Sequence, residues 1–198
     1  MNFLAHSYLS GNNDQVLIGN FIGDWIKGSD YKAYPDDIQK GIIVHRNIDT
    51  YTDLHPIVRQ SKQRLNEHYH KYSGIIIDIF YDHFLACNWD KYSSVSLSDY
   101  TGMLRQSLNT NLHFFPERIQ EFVPRFMRRG WIESYATIDG IERVLQGMSK
   151  HTSLPDKTLE AMFTLEKYYD GFLNEFTEYF PQLVANIEER FQLGLVIK

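Results

Sequence analysis

Hydrophobic residues recur every three to four positions along most of this 198-residue chain, the spacing of an amphipathic α-helix. Gly28 ends the pattern of residues 14–28, whose apolar positions are Leu17, Ile18, Phe21, Ile22, Trp25 and Ile26. Comparable patterns predict helices over residues 35–53, 55–72, 75–89, 96–112, 115–131, 137–151, 154–180 and 182–192. We expect Pro124 and Pro181 to kink, break or restart the helices around them.

The sequence gives only weak signals for β-strands. It has no run of alternating β-branched residues bounded by tight turns, and no Asn-Gly or Asp-Gly pair between such runs. Residues 75–89 are apolar on nearly every side, which predicts a central buried helix. Together these patterns predict an all-α fold of about seven to nine helices. They also predict one compact domain that spans residues 1–198.

Composition narrows the function classes. The net charge is −5, whereas nucleic-acid binders usually carry a basic surface, so no nucleic-acid partner is expected. No apolar run approaches the roughly 18–20 residues of a membrane span, and the first residues lack the basic region of a secretory signal. The single Cys87 excludes an intramolecular disulfide and fits a reducing compartment. These features predict a cytoplasmic protein without a membrane partner and leave its oligomeric state open.

Titratable side chains interrupt four apolar segments at positions where burial is predicted. These residues are His6, Asp24, His45, Asp49, Asp78, Asp82 and His83. Residues four apart share one face of a helix, so His45 pairs with Asp49, and Asp78 pairs with Asp82. Two helices that each present such a pair can clamp a divalent cation. Carboxylates and neutral imidazoles suit Mn²⁺, Mg²⁺ or Fe²⁺.

Each of these residues taken alone also has a structural explanation. His6 fits a core imidazole bonded to a backbone carbonyl, and Asp24 fits the cap of a turn. Asp49 can pair with Arg46 or Arg59, and the second i, i+4 pair can form a solvated stripe. The coincidence in four apolar segments favours a shared site, because a buried charge is costly unless it is paired or binds a metal.

Four motifs resemble the acyl carrier protein phosphodiesterases, also called holo-acyl-carrier-protein hydrolases. They are MNFLAH at 1–6, GNFIGDWIKG at 19–28, GIIVHRNIDTYTDLHP at 41–56 and DIFYDHFLACNW at 78–89. A looser resemblance continues through IERVLQGMSK at 141–150 and YFPQL at 179–183. The resemblance therefore covers nearly the whole chain.

This resemblance implies a reaction, a metal and a fold. Enzymes of this family hydrolyse the phosphodiester between 4′-phosphopantetheine and a serine of holo-acyl carrier protein. The resemblance also implies Mn²⁺ dependence and a distorted HD-type helical fold. The adjacent His-Asp pair that names the HD superfamily does not occur in this sequence, where only the reversed pair Asp82-His83 is present. The ligands must therefore be predicted from the chain's own pairs.

The predicted roles follow from residue chemistry. The metal ligands are predicted to be Asp24, His45, Asp78 and Asp82, with His6 as a further candidate. Asp49 and His83, like His6, are predicted either to bind the metal or to support its ligands. The predicted catalytic groups are Asp24, Asp49 and His83, and whichever of these is not used by the metal would orient the attacking water or protonate the leaving serine oxygen. Lys27 and Arg46 are predicted to hold the phosphoryl oxygens.

A basic segment near residue 124 is the predicted docking surface for the carrier protein, which is expected to be acidic. Arg125, Arg128 and Arg129 alternate there with aromatic side chains, although arginine is also favoured at any helix C-terminus. Two other functions stay open. One is a metal-dependent hydrolase of a nucleotide or another small phosphodiester, and the other is a non-catalytic helical module that binds the carrier protein.

Overall fold

The computed structural model describes residues 1–128 and 130–195, without the side chains of residues 122, 126 and 128. Within these residues it contains twelve α-helices and no strand, so the all-α prediction is confirmed. The helices are α1 (Phe3–Tyr8), α2 (Asp14–Ile22), α3 (Asp36–Leu54), α4 (Pro56–Gln63), α5 (Asn66–Tyr69), α6 (Ser73–Cys87), α7 (Leu97–Thr110), α8 (Glu117–Gln120), α9 (Phe122–Arg128), α10 (Ile138–His151), α11 (Thr158–Lys167) and α12 (Tyr169–Phe191). Short 3-10 helices, among them Gly23–Trp25, His70–Tyr72 and Glu133–Ala136, connect several of them.

Of the two prolines expected to disturb helices, Pro124 lies beside a helix break, as predicted, whereas no helix ends at Pro181. Pro181 lies inside α12, and the chain instead breaks at Tyr168, between α11 and α12. Pro124 lies in the first turn of α9, where a missing N–H costs little, and the preceding helix ends before it, at Gln120. The number of helices is therefore larger than predicted, because the longest apolar patterns are divided between neighbouring helices.

Helices α2 and α3 pack very closely against each other. A side chain at Gly19 would collide with the Ile38 carbonyl, and one at Gly41 would collide with the Val16 carbonyl. Only glycine permits such close approach of two helix backbones. This contact brings the C-terminal half of α2 beside the middle of α3, where His45 lies.

Helix α6 lies at the centre of the fold, as the sequence predicts. It packs against α1, α4, α10, α12 and the 3-10 helix Glu133–Ala136. Its apolar side chains, such as Ile76, Phe80 and Phe84, belong to one continuous core of buried residues. This continuous core supports the single domain spanning residues 1–198, which stays a prediction. None of the described helices is both long enough and apolar enough to cross a membrane.

The N-terminal helix α1 is held on α6 by a buried carboxylate. Asp82 is fully buried, and its oxygens accept hydrogen bonds from the backbone N–H groups of Asn2 (3.3 Å), Leu4 (2.8 Å) and Ala5 (3.3 Å). These N–H groups belong to the first turn and have no partner within the helix. Asp82 therefore fixes the start of α1, and His6 follows in the next turn.

Candidate metal centre

Two imidazoles and one carboxylate converge where α1 meets α3. The Nε2 atom of His6 lies 3.2 Å from Oδ1 of Asp49, and the Nε2 atom of His45 lies 3.2 Å from Oδ2 of the same residue. The two rings stack with their centroids 4.3 Å apart. One ligand atom from each residue lies within 4.8 Å of the others, which is close enough to surround one metal ion.

Both rings are held from behind through their Nδ1 atoms. The Nδ1 atom of His6 lies 2.8 Å from the side-chain oxygen of Asn20, and the Nδ1 atom of His45 lies 2.8 Å from the backbone oxygen of Asn20. Both histidines and Asn20 are buried, whereas the Asp49 side chain is 44% exposed. The two imidazoles therefore form the buried side of the site, and the Asp49 carboxylate forms its solvent-exposed side.

Asp24 lies at the rim of this group. The 3-10 helix Gly23–Trp25 crosses over His45, and a side chain at Gly23 would collide with the His45 ring. This close approach places Oδ1 of Asp24 3.4 Å from Nε2 of His45. The Asp24 side chain is 70% exposed, so it can move toward a bound ion or a substrate.

The electrostatics of the site favour a cation. Burial alone lowers the pKa of the His45 imidazole, but its hydrogen bonds to Asp24 and Asp49 outweigh burial and raise this pKa to about 9. Burial, together with the neighbouring His45, lowers the pKa of His6. Burial opposes ionisation of Asp49, yet hydrogen bonds to both imidazoles keep its pKa below the usual range. The metal-free site therefore holds a proton on His45 at neutral pH, where a metal ion can replace it.

The group opens into a cavity of about 570 Å³. His6, His45, Asp49 and Asp24 line one part of it. Another part is lined by Lys62 and Lys71, together with His70 and Asp53. Lys62 is paired with Asp53 at 2.7 Å, and the ammonium group of Lys71 lies over the Tyr72 ring. The cavity thus joins a cluster of metal-binding donors to a region that carries two ammonium groups and one carboxylate.

The acidic pair of α6 has partners other than the cluster. Asp78 lines the cavity, but its Oδ1 atom lies 2.9 Å from the amino group of Met1. Asp82 binds the backbone of α1, and burial raises the pKa of this carboxyl to about 7 against the three N–H donors. Among the described residues, the cluster that can hold a metal includes neither of the two. A ligand role for Asp78 and Asp82 stays a prediction, and the structure provides each with another partner.

His83 lies on another side of α6, away from the metal-binding group. Its Nδ1 atom donates to the Tyr135 carbonyl at 2.7 Å, and its Nε2 atom lies 3.0 Å from the Tyr169 hydroxyl. Burial lowers the pKa of this imidazole. Among the described residues that line the cavity, His83 is absent. These contacts join α6 to the 3-10 helix Glu133–Ala136 and to α12, as expected for a structural histidine.

The two cations predicted to hold phosphate donate hydrogen bonds to the backbone of the segment that carries Asp24. Lys27 donates to the Asp24 carbonyl at 2.7 Å. Arg46 donates to the Ile26 carbonyl at 3.0 Å and lies over the Tyr31 ring. The described lining of the cavity includes neither Lys27 nor Arg46, so their contact with phosphate stays a prediction.

The predicted docking segment lies only partly within the described residues. Arg125 is exposed and pairs with Glu121 at 2.6 Å, one turn earlier in sequence. The side chain of Arg128 and all of Arg129 lie outside the described residues. Docking of the carrier protein on these arginines therefore stays a prediction.

Sequence reasoning missed three residues that the structure brings to the site. Asn20 holds both imidazoles, and its signal was a single amide in the otherwise apolar stretch from Leu17 to Ile22. Lys62 and Lys71 line the cavity, but both occur in a segment rich in polar residues. Such residues cannot be distinguished by sequence from an ordinary solvated helix face.

The sequence was compared with known protein families and structures. The profile of the acyl carrier protein phosphodiesterases matches residues 1–183. The chain belongs to this family. The family resemblance stated from the motifs is therefore confirmed.

Individual relatives match over nearly their whole length. A protein of Photorhabdus laumondii is 32% identical over 191 residues, which cover 96% of both chains. A protein of Yersinia pestis is 29% identical over 191 residues, covering 96% of this chain and 99% of its own. One of Salmonella paratyphi A is 31% identical over 186 residues, covering 93% and 96%. All three are named acyl carrier protein phosphodiesterase. No solved structure is significantly similar to this chain, so the HD-type arrangement stays a prediction.

Proposed function

We propose that this chain is a metal-dependent phosphodiesterase that acts on holo-acyl carrier protein. It would hydrolyse the bond between 4′-phosphopantetheine and the carrier's serine, and release apo-carrier and free 4′-phosphopantetheine. Membership of the family supports the substrate. The observation that carries the proposal is the group of His6, His45 and Asp49, whose donor atoms converge at the wall of a cavity large enough for a small ligand.

The donor set supports a divalent transition metal in this group. Two imidazole nitrogens and one carboxylate oxygen suit Mn²⁺ or Fe²⁺, whereas Mg²⁺ prefers oxygen ligands. Mn²⁺ is our proposed metal, with Fe²⁺ and Mg²⁺ as alternatives. His6, His45 and Asp49 would hold it, and the Asp24 carboxylate lies beside His45 at the rim. When bound, the metal supplies Lewis-acid chemistry that lowers the pKa of water and neutralises charge on the phosphoryl oxygens.

Asp24, at the rim of the site, would take part in the proton transfers of the reaction. The hydrogen bond to His45 lowers the pKa of Asp24, so this carboxylate is ionised at neutral pH and can orient the attacking water and accept its proton. The water oxygen forms a bond to phosphorus, and the bond between phosphorus and the serine oxygen breaks. The proton that Asp24 accepted is passed to the serine oxygen, directly or through solvent, and the serine leaves as the hydroxyl of apo-carrier.

Lys62 and Lys71 would bind the carrier protein beside its modified serine. Both line the cavity, and neither belongs to the metal-binding group. Ammonium groups at a cavity entrance attract carboxylates and steer an acidic partner toward the site. The net charge of this chain is −5, so attraction of an acidic protein must come from such a local surface.

Intact-protein mass spectrometry of holo-carrier tests the function directly. The protein is incubated with holo-carrier and Mn²⁺, with a chelator in a parallel reaction. We expect the carrier to lose the phosphopantetheine mass only in the reaction that contains free Mn²⁺. Loss of this mass in both reactions would contradict metal dependence.

Two further assays separate the competing functions. Free nucleotides and bis-p-nitrophenyl phosphate are supplied under the same conditions. Turnover of these compounds without turnover of holo-carrier would show a hydrolase of small phosphodiesters. Carrier binding that survives chelation without any turnover would show a non-catalytic module.

A further inference from the structure

The orientation of the Asn20 side chain is determined by its neighbours. Its nitrogen lies 2.8 Å from the backbone carbonyl of His6, which can only accept a hydrogen bond. The same nitrogen donates to the Ser10 hydroxyl at 3.0 Å, and this hydroxyl donates in turn to the His6 carbonyl. The reversed amide would place two acceptor oxygens against each other. The Asn20 side-chain oxygen must therefore face the His6 ring.

This orientation determines where both histidines carry their protons. The Asn20 side-chain oxygen only accepts, so Nδ1 of His6 must be the donor across their 2.8 Å contact. The backbone oxygen of Asn20 also only accepts, so Nδ1 of His45 is the donor in the second 2.8 Å contact. In the neutral rings, both Nε2 atoms then carry lone pairs. These lone pairs face the two oxygens of Asp49.

Lone pairs directed at a carboxylate repel it unless a cation lies between them. A metal ion between the rings and the carboxylate satisfies this requirement for both rings at once. Residues that bond the far nitrogen of a metal-binding histidine commonly set its tautomer and its orientation. Asn20 does this for two rings at once, since it uses its side-chain oxygen for one and its backbone oxygen for the other.

We propose that Asn20 is a positioning residue that holds His6 and His45 in the Nδ1–H tautomer and directs both Nε2 atoms at one metal ion. This inference rests on the proposed function for the identity of the ligand. The tautomers of the two histidines do not depend on that function, because they already exist in the metal-free protein. Asn20 touches neither metal nor substrate, and it acts through the two imidazoles.

Histidine nitrogen NMR of the metal-free protein at neutral pH is the first test. We expect Nδ1 of His6 to carry a proton that is hydrogen-bonded to the Asn20 side-chain oxygen. Zinc-loaded protein, which is diamagnetic, should show the same Nδ1 proton on both His6 and His45. A wild-type His6 ring that carries its proton on Nε2 would overturn the proposal, and this result needs no variant.

Two isosteric variants separate positioning from stability. Asn20→Leu removes the acceptor for His6, whereas Asn20→Asp keeps an acceptor for His6, removes the donors to the His6 carbonyl and Ser10, and adds a carboxyl group. Both should lower the melting temperature. Only Asn20→Leu should release the His6 tautomer and weaken Mn²⁺ binding, by about 10–100-fold. His45 is the internal control, because its partner is a backbone oxygen that both variants retain.

The outcomes separate this proposal from the proposed function. Mn²⁺ affinity that stays within about threefold of wild type in folded Asn20→Leu would overturn the positioning role. Equal losses in both variants, in proportion to their lowered melting temperatures, would also overturn it. Correct tautomers and tight Mn²⁺ binding without hydrolysis of holo-carrier would contradict the proposed function and leave the role of Asn20 supported.

Discussion

The i, i+4 pair on α3 and the i, i+4 pair on α6 are alike in sequence and different in the structure. His45 and Asp49 join His6 in a group that opens to the cavity. Asp82 is fully buried and binds the backbone of α1, and Asp78 binds the amino group of Met1. The spacing shows that two side chains share a helix face, but it does not show what that face meets. A metal and the exposed N–H groups of a helix end both attract a carboxylate.

The two pairs nevertheless act on one site. Asp82 fixes the first turn of α1, and the next turn carries His6 into contact with Asp49. The pair on α3 would bind the ion, and the pair on α6 would hold in place the helix that supplies a third ligand. Variants of the two pairs should therefore differ in how activity and stability change together.

His45→Ala should have the largest effect on activity. Loss of an imidazole donor that directly holds the metal should lower kcat/KM for holo-carrier by roughly 10³-fold or more, since metal ions contribute several kcal/mol to such reactions. The His45 ring is buried and packs against His6 and Gly23, so its loss should also lower the melting temperature. Mass spectrometry of the carrier measures the loss of activity, and the melting temperature measures the change in stability. Activity near that of wild type would remove His45 from the ligand set.

Asp82→Ala should lose stability and activity together. The change leaves three N–H groups of α1 without their acceptor, which should cost about 2–4 kcal/mol in the free energy of unfolding. Urea denaturation measures this loss, and Mn²⁺ titration measures the accompanying loss of affinity. Asp82→Asn is the matched control, because it keeps the shape and one acceptor and should lie between wild type and alanine. Loss of Mn²⁺ binding at unchanged stability would instead support Asp82 as a ligand.

The pH dependence of metal binding should separate the α3 pair from the rest of the molecule. Below about pH 9, His45 of the metal-free protein carries a proton that the metal must displace. Mn²⁺ affinity should therefore fall by about tenfold for each pH unit below 9 and level off above it. Calorimetry in buffers of different ionisation enthalpy should detect the released proton. An affinity that does not change between neutral and alkaline pH would contradict the raised pKa of His45.

Removal of single positive charges compares the two candidate docking surfaces, which are the cavity and the segment around Arg125. Lys62→Met and Lys71→Met should each raise KM for holo-carrier by about 3–10-fold with little change in kcat, because each removes an attraction to the partner and leaves the metal-binding group in place. Arg125→Met tests the alternative surface outside the cavity. A KM that responds only to Arg125→Met would place the docking surface on α9.

His83→Gln should have the smallest effect on activity. His83 contacts Tyr135 and Tyr169 on the side of α6 away from the candidate metal centre. We expect kcat/KM within about threefold of wild type, with a destabilisation of about 1–2 kcal/mol from the altered hydrogen bonds. Steady-state kinetics and thermal unfolding check this. A large loss of kcat in a stable protein would restore the catalytic role predicted for His83.

The α-helical class and the pair on α3 could be predicted because both depend on local periodicity. His45 and Asp49 share a helix face wherever α3 packs. The role of Asp82 could not be predicted, because its partners are backbone N–H groups, which no residue type identifies. Lys62 and Lys71 reach the cavity only through the packing of α4 and the His70–Tyr72 segment. Pro181 was expected to break a helix, but α12 continues through it, so local preference was overridden by tertiary packing.

Pulsed EPR of Mn²⁺ bound to protein labelled with ¹⁵N in its histidines tests the central claim most directly. The account predicts coupling to two imidazole nitrogens per Mn²⁺. One coupling should disappear in His6→Ala and one in His45→Ala, and both should persist in His83→Gln. Bound Mn²⁺ without imidazole coupling, or with two couplings that survive both alanine substitutions, would contradict the assignment of His6, His45 and Asp49 as the metal centre.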